Sequence, residues 1–164
     1  MLYALWGSVH ADSAQEFTVR AGLALNFARF TEWPDTVLKD IDTTINLCLL
    51  GNPMVEEAFA SIHGKTVGNR TLQVQLLAHS SNLNDCHILY VSDLDKNKIA
   101  VLLDEIVNLP ILTIGEDDFF IQRGGAVSLE ILNDKISIKI NLKTAKQNGL
   151  TISARVLKLA TVIQ

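Results

Sequence analysis

The sequence predicts an α/β domain: a mainly parallel β-sheet flanked by helices, with a C-terminal antiparallel β-hairpin. Three observations carry this. Up to Ile114, short apolar runs of strand length alternate with amphipathic stretches of helix length, the pattern of parallel strands joined by crossover helices. Beyond it, two period-two runs are joined by Asn133-Asp134, the mark of a hairpin. A chain of 164 residues with 48% hydrophobic content is also long enough to bury a core without a staple.

The elements follow in order. Ser13 and Glu16 make an S-x-x-E capping box, in which the hydroxyl accepts from an early helix N–H and the carboxylate reaches back. From there to about Phe30, two interleaved series (Phe17, Ala21, Ala24, Ala28 and Val19, Leu23, Phe27, Phe30) recur at helical spacing. They predict a helix buried on more than one side. Trp33-Pro34 stops it, because proline disfavours helical backbone at the residue before it. The run from Thr44 to Leu50 reads as a buried strand. Gly51-Asn52-Pro53 then turns the chain, with Asn52 as N-cap and Pro53 at the first helical position. That helix runs to about Ile62, with Gly64 closing it.

Leu72, Val74 and Leu76 alternate with Gln73 and Gln75, so this strand has a polar face and belongs near a sheet edge. Ile88 to Val91 is a second buried run. Ile99, Leu102, Leu103 and Ile106 give the clearest amphipathic helix, and Pro110 precedes the strand Ile111 to Ile114. The order implies right-handed crossovers with helices on both faces, a Rossmann- or flavodoxin-like arrangement. Val127, Leu129, Ile131 and Ile136, Ile138, Ile140 form the hairpin, which extends the sheet with an antiparallel edge. Asn148-Gly149 ends a short helical turn. Ser153 caps a last helix carrying Val156, Leu157, Ala160 and Ile163. Residues 13–164 read as one domain. Residues 1–12 read as a signal-peptide remnant or a disordered terminus: Leu2 to Trp6 is apolar and Val9-His10-Ala11 has the small-residue spacing of a cleavage site, though no basic segment precedes it.

Several functions are excluded by what the pattern lacks. A net charge of −4, with basic residues never three in a row, is unsuited to nucleic acid. No apolar stretch is long enough for membrane insertion. Gly51-Asn52-Pro53-Met54 cannot form a dinucleotide fingerprint, and no G-K-[ST] occurs. Gly124-Gly125 precedes a hairpin strand rather than a helix, where backbone freedom is the better account. The first strand ends on Leu50 and Gly51, so a phospho-receiver carboxylate is missing. Glu116-Asp117-Asp118 lacks the spaced oxygens calcium needs. His10, His63, His79 and His87 have no metal spacing, and Cys86-His87 are neighbours that a strand would point apart. No cofactor, no metal site and no catalytic residue is expected; the chain does not read as an enzyme.

One constellation remains. If the sheet has the common 2-1-3-4 order, the strand holding Cys48 lies beside the one that starts just after Cys86, within disulfide reach given a slight offset. Closing that loop stabilises by about 4 kcal/mol in the chain-entropy model. The alternative is a pair of buried free thiols acting as small hydrophobes.

The stretch from Leu25 through Phe30 to Trp33-Pro34 resembles the N-terminal signature of the YfiR-type family. So do Asn46 to Gly51, Cys86 to Ser92, Pro110 to Ile114, Phe119 to Gly125, Lys139 to Asn141 and Ser153 to Ala160, in the same order and spacing over residues 20–162. The resemblance implies a periplasmic protein that represses an inner-membrane diguanylate cyclase by binding its periplasmic domain. It also implies an outer-membrane OmpA-like lipoprotein that sequesters the repressor, so that cyclic-di-GMP rises and biofilm is favoured. Cys48 and Cys86 match one cysteine pair of that family, whose redox state is tied to repressor stability; the second pair of its best known member has no counterpart here. Partner-binding residues are expected at Phe119, Phe120 and Arg123, and at Arg155 on the C-terminal helix; a homodimer is a further expectation. The alternative function is a small-ligand-binding or enzymatic flavodoxin-like domain, with a pocket at the carboxyl ends of the strands.

Overall fold

The computed structural model describes residues 8–164. Residues 1–7 of the expected terminal segment lie outside the described residues, whereas residues 8–12 already belong to the first helix, α1 (Ser8–Arg29). The capping box at Ser13 therefore sits in the second turn of α1 and does not start it. The Phe30 amide still donates to Asn26 O at 3.0 Å, after which the chain turns extended at β1 (Thr31–Glu32) ahead of Trp33-Pro34.

The apolar run becomes β2 (Thr44–Gly51), followed by α2 (Val55–Ala60). α2 starts two residues later than expected, with Met54 and not Asn52 at its N-cap; Asn52 Oδ1 accepts from the Met54 N–H at 2.9 Å in the turn ahead of it. Next come β3 (Thr66–Val67), β4 (Arg70–Leu76), a 3-10 turn at Ser80–Asp85, β5 (Ile88–Ser92) and α3 (Lys96–Glu105). The Asp95 side chain caps α3 by accepting from Asn97 N–H. The chain continues through β6 (Leu112–Gly115), α4 (Asp118–Gln122), β7 (Val127–Leu132) and β8 (Lys135–Asn141). The β7–β8 turn places Asn133 at φ 51° and Asp134 at φ 63°, the two positive values a primed two-residue turn requires. Last are α5 (Leu142–Gln147), β9 (Thr151–Ile152), α6 (Ala154–Leu157) and β10 (Thr161–Ile163).

The main sheet has the order β10-β8-β7-β6-β5-β2-β4-β3. β4, β2, β5, β6 and β7 are parallel neighbours, which is the 2-1-3-4-5 order of flavodoxin-like folds. β8 pairs antiparallel with β7, as the hairpin required. β4 lies one strand from the edge, covered by the two-residue β3. Two features differ from expectation. β1 and β9 form a small separate antiparallel sheet with Thr31 opposite Ile152. The last helix is also shorter than predicted: α6 is capped by Ser153, whose hydroxyl accepts from the Arg155 N–H at 3.3 Å, but Thr161 to Ile163 leave it and pair parallel with β8. Three consecutive β-branched residues favour extended backbone, and β8 offers an open edge.

Both faces of the central strands are buried. Ile45, Leu47, Leu49, Ile88, Tyr90, Leu112 and Ile114 pack with Ala24 and Phe27 of α1 and Phe59 of α2. On the other face Cys48, Leu50, Leu89 and Val91 pack with Ile99, Leu102 and Leu103 of α3. Burial on both sides is why β2, β5 and β6 read as continuous apolar runs rather than alternating ones. Each large aliphatic chain so buried contributes about 1.5–3 kcal/mol.

Candidate functional site

Two clusters on the central strands combine chemistry with burial, one toward the amino end of β5 and one at its carboxyl end. At the amino end, β2 and β5 are paired with Leu47 opposite Ile88, which leaves Cys86 just before the ladder. It is bonded to Cys48 with a Cα–Cα separation of 5.8 Å, inside the range a disulfide needs. Both residues are buried, and the Gln75 amide donates to Cys48 Sγ at 3.4 Å. The alternative of two free thiols is thereby replaced by a bridge in the layer under α3.

At the carboxyl end, β2 and β5 run on to Gly51 and Ser92. This is the switch point where doubly wound folds ordinarily bind ligands. Gly51 has φ +110°, and a Cβ there would fall 1.8 Å from Ser92 O. Only glycine permits this approach, which also lets the Asn52 amide donate to Ser92 O at 2.8 Å. Beside it Glu116 is a hub. Its Oε2 accepts from the Tyr90 hydroxyl at 2.6 Å and its Oε1 from the Ser92 hydroxyl at 2.7 Å. The Arg20 guanidinium lies 3.4 Å from Oε2, and Arg20 Nε donates to Leu129 O at 3.0 Å. Burial, then the negative charge of Glu116, pushes the Tyr90 hydroxyl far up, so that it stays a donor.

Arg20, Ser92 and Glu116 line a cleft of about 340 Å³ that also includes Phe17, Asn52, Asp93 and Asp117, with Tyr90 buried behind it. None of its lining residues is His, Lys or Cys. The Ser92 hydroxyl donates to a carboxylate that also accepts from Tyr90 and faces Arg20, so both oxygens of Glu116 are engaged within the network. Among the described residues no group of three or more His, Cys, Asp or Glu is placed to hold a metal ion.

The predicted partner-binding residues divide. Phe119 and Arg123 lie on and just after α4, both facing α3: Lys96 Nζ sits 5.1 Å from the Phe119 ring centroid, and Arg123 pairs with Asp104 at 3.4 Å. Phe120 is 1% exposed and works from within. Its ring rests on Gly115 and Gly125, where a Cβ would intrude to 2.1 and 2.3 Å. Arg155 is exposed on α6, whose Val156 packs in the core of the opposite sheet face, so it does not join the other three. Sequence reasoning missed Arg20, Tyr90, Ser92 and Glu116 as a unit. The one signal was Arg20 itself, a charge within the apolar stripe of α1 beside Phe17, Ala21 and Ala24.

A family model described as YfiR/HmsC-like matches residues 17–161. None of the curated proteins matches the chain. Among solved structures, a conserved domain protein from Vibrio cholerae O1 biovar El Tor is similar, with 14% identity and a TM-score of 0.53 over 90% of this chain. The matched region spans 60% of the length of that protein's chain. At such identity the likeness speaks for the fold.

Proposed function

The chain belongs to the YfiR/HmsC-like family, and from that premise we propose that it is a periplasmic regulator that works by binding protein partners. In this reading residues 13–164 act as one domain that represses an inner-membrane diguanylate cyclase by holding its periplasmic part. An outer-membrane OmpA-like lipoprotein draws the repressor away, cyclic-di-GMP rises and biofilm is favoured. The carrying observation is the family match across residues 17–161.

Two structural facts support it. A buried disulfide suits an oxidising compartment. At the carboxyl-end crevice, where an enzyme of this fold class would work, the lining groups Arg20, Ser92 and Glu116 are already paired with one another and with Tyr90. No described helix is long and apolar enough to cross a membrane. The partner face in this proposal includes Phe119 and Arg123, with Phe120 supporting them from below; Arg155 marks a second contact, and self-association is a separate part of the proposal.

The test is binding of the oxidised protein to purified periplasmic domains of diguanylate cyclases from the same cell, with cellular cyclic-di-GMP measured after deletion. Expected are a saturable complex, a loss of affinity of about tenfold or more for Phe119→Ala, and raised cyclic-di-GMP in the deletion strain. No complex with any such domain, together with unchanged cyclic-di-GMP, defeats the proposal. Sedimentation of the protein alone reads self-association.

A further inference from the structure

His87 stands at the start of β5, one residue after bridged Cys86. Its backbone N–H donates to Asn46 O at 2.9 Å, and its imidazole Nδ1 accepts from the Asn46 N–H at 2.8 Å. A side chain thus completes the first rung between β2 and β5. The carbonyl of His87 receives the Trp33 indole N–H at 3.2 Å and the Leu112 amide at 2.9 Å. The Trp33 ring stands edge-on to the imidazole at 6.4 Å between centroids. The Asn46 side chain, in turn, donates to Asp85 O at 2.9 Å. One histidine therefore ties β2, β5, β6 and the segment after β1 together beside the disulfide.

An Nδ1 that accepts a hydrogen bond carries no proton, so the ring is neutral with its hydrogen on Nε2. Protonation sets a second N–H on Nδ1 against the Asn46 N–H, and the contact turns from attraction to repulsion. We infer that His87 is an acid-sensitive clasp: neutral, it shuts the first β2–β5 rung beside the Cys48–Cys86 bridge; protonated, it opens that rung, loosens the two strands that carry the cysteines and admits reductant to the sulfurs.

The charged groups facing the ring come from three elements. Asp42 lies in the loop before β2, Arg70 at the start of β4 and Asp85 in the 3-10 turn. Burial is the largest influence and lowers the pKa below the ordinary 6.5; Asp42 and Asp85 oppose it and Arg70 reinforces it. An unfolded chain takes up its proton at the ordinary value. The stability contributed by neutral His87 is therefore complete above about 6.5 and lost as the pH falls from there toward the lowered folded value.

The experiment compares wild-type protein with His87→Asn, whose side-chain oxygen can accept from the Asn46 amide without titrating. The rate of bridge reduction by a water-soluble phosphine is measured from neutral to mildly acidic pH, normalised to an unstructured disulfide peptide, alongside NMR of the imidazole nitrogens and the Asn46 amide. Expected is a rise of about tenfold in the normalised wild-type rate across the titration, with Asn46 amide protection falling in step and His87→Asn flat. His63 Nδ1 likewise accepts from the Val74 N–H at 3.0 Å, and the variant comparison isolates His87 from it. Equal pH profiles for the two proteins, or a titrating His87 that leaves the Asn46 amide unmoved, overturns the inference. His87→Ala is expected to reduce fast at every pH; should it fail to fold, the wild-type and asparagine comparison decides alone.

Discussion

The two ends of β5 are held by opposite means. At Ser92 the chain is fixed by a carboxylate that collects two hydroxyls and a guanidinium. At Cys86 and His87 it is fixed by a covalent bridge and an imidazole. In the first set the tyrosine is driven further from titration by burial, and the arginine is charged at every physiological pH. The second set answers to electrons and protons. The lesson is that at the carboxyl end polar groups are tied to one another, while the opposite end carries a reducible bond and a titratable ring.

Removing each link in turn tests this contrast. The largest loss is expected from deleting the bridge: Cys48→Ala with Cys86→Ala should cost up to about 4 kcal/mol by the chain-entropy estimate, read as a fall in Tm that reductant no longer deepens. Glu116→Ala should cost about 3 kcal/mol, because it leaves Arg20 buried without its main partner; equilibrium urea unfolding measures it. A larger cost than for the double cysteine variant would reverse the ranking of the two ends. Tyr90→Phe deletes one hydroxyl bonded to a carboxylate and should cost about 1.5 kcal/mol, with no new pH dependence. The smallest change should come from Arg123→Ala, whose partner Asp104 is exposed; a surface pair contributes less than about 0.5 kcal/mol. A stability loss well above that would mean Arg123 supports α4 rather than a partner surface.

Much of the fold was legible because it rests on local periodicity. β2 and β5 announced themselves by apolar runs, α3 by its four-residue stripe, and the β7–β8 hairpin by the Asn133-Asp134 turn. What stayed hidden rests on distant pairing. Thr31 finds Ile152 across nearly the whole chain, and two-residue strands carry no period to read. Thr161 to Ile163 followed a helical spacing too closely to be separated from α6, although their β-branching favoured the strand they form. Of the two candidate clusters, the cysteines were legible because sheet order alone brings them near. The Glu116 network was not, since its members come from α1, β5 and the loop after β6, and only the folded sheet assembles them. Phe120 misled for a simpler reason: an aromatic in a short loop-like segment reads as surface until the glycines that receive its ring are seen.

The depth of the sulfur bridge also constrains the order of events during biogenesis. Cys48 is 0% and Cys86 3% exposed, so an oxidising enzyme cannot reach either thiol once the α3 layer has closed. The bond must form while the chain is still open, and a molecule that folds first without it is committed to a dithiol form until it opens again.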